Sequence, residues 1–187
     1  IINSKKKVVK EINLITKNIN LSLLKKKIPK KFFLKQQINK CLFCSVVPNI
    51  FKIIKFFLKK YYNIKCYELK SLNLKSLLKI KVNFKQIGSD RLANAIGAIN
   101  NKDNFIILDF GTATTFDVLI KDTYYGGVIA PGVNLSLNTL TEKATLLPKI
   151  NLKRVNKVVG ITTTNAVRSG FFWGYSGLIQ NIIDLIM

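Results

Sequence analysis

The sequence predicts an α/β protein, and three stretches carry that prediction. "CLFCSVV", "NIFKIIKFFLKKYY" and "IKCYEL", between residues 41 and 69, read as strand, helix and strand, the order of a parallel pair with its crossover helix. "IILDFGTATTFDVLI" (106–120) reads as two buried strands joined by a tight turn, and it places Asp109 and Asp117 in an otherwise apolar hairpin. Two later stretches, "NLSLNTLTEKA" and "TNAVRSGFFWGYSGLIQNIIDLIM", read as helices. A chain of 187 residues makes one ordinary domain or two small ones.

Taken in order, residues 5–40 are lysine-rich and weakly helical, with a break near Pro29. The run at 41–47 is short, apolar and partly β-branched, so it reads as a buried strand. Pro48 opens an amphipathic helix with Lys52, Lys55 and Lys59 on one face and Ile54, Phe57, Leu58 and Tyr61 on another. "GSDRLANAIGAIN" opens the next helix, capped by Ser89 or Asp90, with Leu92, Ala95, Ile96 and Ile99 as its apolar stripe. In the last helix Gly170, Gly174 and Gly177 fall on one ridge. A glycine ridge admits a neighbouring backbone, so a tight helix–helix contact is expected there, between domains or protomers. The domain division expected is 1–87, a partial N-terminal α/β domain, and 88–187, a second α/β domain with the turn and the long terminal helix. Because the chain starts at Ile1 and stops in mid-helix, it reads as a piece lacking material at both ends.

Composition narrows the function. Residues 1–89 carry 22 lysines against Glu11 and Glu68, whereas residues 90–187 are nearly balanced. Such a basic half suggests nucleic acid or an anionic membrane, but a lysine-favouring codon bias explains it equally. The three arginines, which are suited to bidentate phosphate contacts, all lie in the second half, and no aromatic–basic motif interleaves the lysines. Nucleic-acid binding is therefore not the expected role. No segment has the roughly 18 uncharged apolar residues of a spanning helix, and no secretory leader is visible. The expectation is a cytoplasmic protein. Cys41, Cys44 and Cys66 lack a disulfide or zinc pattern and read as buried reduced thiols.

Histidine is absent, so Ser-His and Cys-His nucleophile schemes are excluded, and there is no P-loop signature. Asp109 ends an apolar strand before "FGTATT". Gly111 leaves room for a phosphate, Thr112, Thr114 and Thr115 can donate hydrogen bonds, and Asp109 can hold a cation. A structural turn with an Asx bond explains the same residues. Asp90 and Arg91 share a helix start, where the dipole favours an anion and the guanidinium favours an ionised carboxylate. That suits a proton acceptor for an alcohol, or simply a helix cap beside a surface arginine. Asp117 has no role legible from spacing beyond bonding nearby backbone to shape the turn.

In order and spacing, "SVVP", "IGSDRLANAIGA", "ILDFGTATTFDVL", "GGVIAPG", "KATLLP" and "GITTTNAVRSGFFWGYSGLI" resemble the type III pantothenate kinases, closely over 88–187 and more loosely over 41–87. The resemblance implies two ribonuclease-H-like domains of the actin-like ATPase superfamily, the first incomplete at its N-terminus and the second at its C-terminus. It implies ATP-dependent phosphorylation of pantothenate to 4′-phosphopantothenate, which opens coenzyme A synthesis, with Mg²⁺-ATP and a monovalent cation, K⁺ or NH₄⁺, in a homodimer. Carried over by motif, Asp90 resembles the proton acceptor, and Gly88, Ser89 and Arg91 line the pantothenate pocket. Asp109 resembles the monovalent-cation ligand, Thr112 beside Gly111 the ATP contact, and Thr163 a pantothenate contact. Three departures stand out: no "D-x-G-N-T" turn, Thr162 where the family has asparagine, and Lys81 where it has tyrosine. A non-catalytic regulator or nucleic-acid binder on the same fold, using the lysine-rich half, is the alternative.

Overall fold

The computed structural model describes residues 2, 7–28, 38, 40–45 and 47–187. Pro29, the expected break, lies outside them. The chain forms two compact units, Ile1–Ser76 with Gln86–Ala93, and Leu77–Lys85 with Asn94–Met187.

In the first unit a short helix α1 (Leu21–Lys27) is capped by Asn20, whose side chain accepts from the backbone N–H of Leu23 at 2.9 Å. Strand β1 (Lys40–Phe43) and strand β2 (Lys65–Glu68) pair in parallel, with Cys41 opposite Cys66, as the strand–helix–strand pattern predicts. The crossover between them is helix α2 (Pro48–Tyr62). Proline at its start costs no hydrogen bond, and Asn63 ends it in the left-handed conformation at φ 53°. Its apolar face supplies Phe57 and Leu58, which with Leu24 and Ile64 form a buried cluster, and Tyr62 donates to the Ile28 carbonyl at 2.6 Å.

Two details differ from the sequence reading. β1 stops at Phe43 rather than running to residue 47, and Leu42 is exposed, because the two-stranded sheet is too small to cover both faces. The cysteines are free but not buried: Cys44 is exposed, and Cys41 and Cys66 are half-buried at the rim of the same sheet.

The second unit is a four-stranded sheet in the order β3-β6-β5-β4, formed by strands β3 (Lys79–Ile80), β4 (Asn104–Phe110), β5 (Ala113–Ile120) and β6 (Thr123–Pro131). β4, β5 and β6 are antiparallel neighbours, and β3 adds to β6 in parallel. The β5–β6 ladder carries an irregularity at Val118/Leu119, and Gly126 on β6 sits at φ +118°, a conformation that side chains rarely adopt. Helix α4 (Val133–Lys143) and helix α5 (Thr163–Ile186) follow, joined by a hydrogen bond of 2.6 Å from the Tyr175 hydroxyl to Ser136 Oγ. Phe116, Leu119, Tyr124 and Leu137 are buried in this unit. Nothing lies within 4 Å of a Cβ built at Gly170, Gly174 or Gly177, so among the described residues the glycine ridge of α5 makes no tight contact.

Helix α3 (Ser89–Ala98) begins in the first unit and continues into the second. No helix among the described residues is long and apolar enough to cross a membrane.

Candidate functional site

The GSDR segment belongs to the first unit. Gly88 has its carbonyl bonded by the Leu92 N–H at 3.2 Å, so Ser89 and Asp90 lie inside the first turn of α3 rather than at its cap. Ser89 is buried, Asp90 is exposed, and Arg91 is half-buried. A Cβ on Gly88 would lie 2.3 Å from Asp90 Oδ1, so the glycine leaves room for this placement of the carboxylate. Asp90 Oδ1 also accepts the Arg91 backbone N–H at 2.8 Å. The carboxylate is thus folded back over its own helix start, where the unpaired N–H groups favour negative charge. Its charge is felt at the end of β1: the Cys44 thiol is raised above its ordinary value, first by partial desolvation and then by Asp90.

Asp109, Gly111, Thr112 and Thr163 belong to the second unit. Asp109 is the penultimate residue of β4, and its Oδ2 accepts from Asn94 Nδ2 at 3.3 Å. Directly opposite on β5 stands Thr115, whose hydroxyl is buried without a hydrogen-bond partner among the described residues. Residues facing each other across an antiparallel pair share a sheet face, so the carboxylate and this hydroxyl are neighbours. The turn between the strands is closed by Gly111 N–H to the Ala113 carbonyl at 2.9 Å, and it leaves Gly111 and Thr112 exposed.

Behind the turn lies Gly132, the last residue of "GGVIAPG". Its N–H donates to the Thr112 carbonyl at 3.1 Å, and a Cβ on it would lie 2.4 Å from both the Gly111 and Thr112 carbonyl oxygens. Only glycine lets these backbones meet. Gly132 is also the N-cap residue of α4, which has no side-chain cap bond, so the first-turn N–H groups of that helix begin beside the turn. A glycine–threonine turn abutting an uncapped helix start can accept an anion.

Thr163 is the exposed first residue of α5. Thr162 before it caps that helix, its Oγ1 accepting from the Asn165 N–H at 3.2 Å, so the threonine found in place of asparagine serves as another good cap. Asp117 is fully buried and accepts from the Tyr124 hydroxyl at 2.5 Å across to β6. Lys81 is exposed, just past β3, and its backbone N–H bonds the Tyr124 carbonyl at 3.0 Å.

Sequence reasoning missed Asn94, Thr115 as the partnerless hydroxyl beside Asp109, and the role of Gly132. Gly132 had a signal, the terminal glycine of a quoted motif. For Asn94 the only signal was a polar residue four places after Asp90 in an apolar-striped helix. Among the described residues no three of His, Cys, Asp and Glu gather as a metal site. The donors at Asp109 are hard oxygens, which suit an alkali or alkaline-earth ion rather than a soft metal.

The fold and this site define an α/β protein with a backbone-lined glycine–threonine turn beside a carboxylate. Comparison with known proteins makes the assignment specific. The family model described as type III pantothenate kinase matches residues 2–185. A type III pantothenate kinase of Pelagibacter ubique is 66% identical over 186 residues, covering 100% of this chain and 75% of that protein. Those of Jannaschia sp. and Paramagnetospirillum magneticum are 39% and 40% identical, covering 80% of this chain and 59% and 58% of their own lengths. The chain therefore belongs to the type III pantothenate kinase family, and it spans three quarters or less of these relatives.

Proposed function

We propose that the chain phosphorylates pantothenate on its 4′-hydroxyl from ATP, the reaction named for its relatives. Of the structural observations, the one that favours it most is Gly132 packed against Gly111 and Thr112, which sets a helix start beside a glycine–threonine turn. Phosphoryl transfer asks a protein mainly for positioning and charge neutralisation, and backbone N–H groups supply both. Thr112, over Gly111, would hold ATP phosphate oxygens. Asp90 would take the proton of the substrate hydroxyl as its oxygen bonds to the γ-phosphorus and ADP leaves. Gly88, Ser89 and Arg91 would line the pantothenate site, with Thr163 a further contact. Lys81 would attract the pantothenate carboxylate.

Asp109 fits a monovalent cation, K⁺ or NH₄⁺, because the amide that bonds it leaves its charge uncancelled, and a hydroxyl without a partner among the described residues stands beside it. Such a cation, when bound, would offset phosphate charge; Mg²⁺ would arrive with the nucleotide. The finer fold reading is two ribonuclease-H-like domains, expected at 1–87 and 88–187, whereas the compact units assign Leu77–Lys85 to the second and Gln86–Ala93 to the first. The open glycine ridge of α5 would pack against a second copy in a homodimer, and the protein would work in the cytoplasm.

The test is ADP release dependent on both pantothenate and K⁺, read beside Asp90→Asn. The variant should lose about 10²–10⁴-fold in kcat, the usual worth of a positioned general base, with only a small drop in melting temperature, because Asp90 is exposed and its charge at the helix start is worth about 0.3–1 kcal/mol. Full turnover in Asp90→Asn would remove the assigned base, and no release on pantothenate would remove the substrate.

A further inference from the structure

We propose that Asn94 is the positioning residue of the cation site, holding the Asp109 carboxylate through one oxygen so that the other is presented to a monovalent cation. The inference rests on the cation reading of Asp109 given above. Three observations carry it. Asn94 Nδ2 donates to Asp109 Oδ2 at 3.3 Å, both side chains being half-buried. Asp109 faces Thr115, whose hydroxyl is buried with no partner among the described residues, a cost that a ligand oxygen or ion would relieve. The donor is an amide, which bonds a carboxylate without cancelling its charge.

That choice of side chain matters physically. A carboxylate at the end of a strand has two rotatable bonds and, left alone, swings between orientations. A lysine or arginine here would hold it but would also neutralise it, removing the attraction for a second cation. A serine would be too short to span the same gap. Asparagine fixes the carboxylate, leaves its full negative charge, and keeps an amide oxygen of its own, a hard donor of the type that alkali cations accept.

The experiment follows the melting temperature during a K⁺ titration, with choline chloride holding ionic strength constant. It uses the wild-type chain, Asn94→Ala and Asn94→Gln. Alanine is the better helix former, so α3 is retained in that variant. In wild type, K⁺ should raise the melting temperature where choline does not. In Asn94→Ala the K⁺ concentration at half-effect should rise about tenfold, the scale of one hydrogen bond to a charged group. Asn94→Gln, which keeps the amide, should recover part of it. A K⁺ midpoint unmoved by Asn94→Ala, whatever that variant does to the melting temperature in choline, overturns the inference and leaves the cation reading intact. A wild-type chain that does not distinguish K⁺ from choline overturns the cation reading, and the role of Asn94 with it.

Discussion

In the first unit the buried cluster of Leu24, Phe57, Leu58 and Ile64 carries no side-chain polar atom, and Lys52, Lys55 and Lys59 on the other face of α2 are exposed. In the second unit the interior admits Asp117 and Thr114, both fully buried, with Tyr124 donating to Asp117. The lysines of α2 thus stay at the surface, whereas the interior of the second unit takes in a carboxylate. The lysines of α2 have local partners: Lys55 lies over the Phe51 ring at 5.5 Å and Lys60 over Phe56 at 5.2 Å, while Lys25 of α1 lies over Tyr61 at 4.6 Å. Long basic side chains lying along apolar rings cover a small core and keep their heads in water. This gives Lys25, Lys55 and Lys60 a packing role of their own. A buried carboxylate has no such bland explanation, because its desolvation must be offset by specific bonds.

The comparison can be broken first at Phe57. Phe57→Ala should cost about 3–5 kcal/mol, the range for truncating a buried aromatic, read from the urea midpoint of the helical circular dichroism signal. A loss under about 1 kcal/mol would show that the first unit's core is not where the structure places it.

A smaller effect is expected from the buried polar pair. Asp117→Ala leaves the Tyr124 hydroxyl without this acceptor and should cost about 1–3 kcal/mol. Tyr124→Phe added to it should cost less than the sum of the two single changes, since the pair is one interaction. Additive losses in the double-mutant cycle would dissolve the pair.

The smallest effect concerns pH. Cys41 is pushed up to about 11 from 9.0, chiefly by burial and then by the neighbouring Cys66. The folded state keeps a proton that the unfolded chain loses, so this contribution is whole below pH 9 and fades as pH rises through about 11. Comparing urea midpoints of wild type and Cys41→Ala at pH 8 and pH 10.5 isolates it from the titrating lysines. The wild type should lose more over that interval, and equal losses would refute the shift.

What was legible in the sequence was whatever is decided within one element or across one turn. The amphipathic helix at 48–62, the hairpin around Gly111 and the last two helices follow from periodicity, proline and glycine, because local sterics and burial of one face act over a few residues. Asp90 and Asp109 stood out for the same reason: each is a charged side chain at the edge of an apolar pattern. Only the tertiary structure decided the early end of β1, the pairing of β3 with β6, the Asp117–Tyr124 bond, the Asn94 hold on Asp109 and the contact of Gly132 with the turn. These depend on which strands become neighbours and how closely two backbones approach. No periodicity encodes that choice, because it is set by the summed packing of residues far apart in the chain.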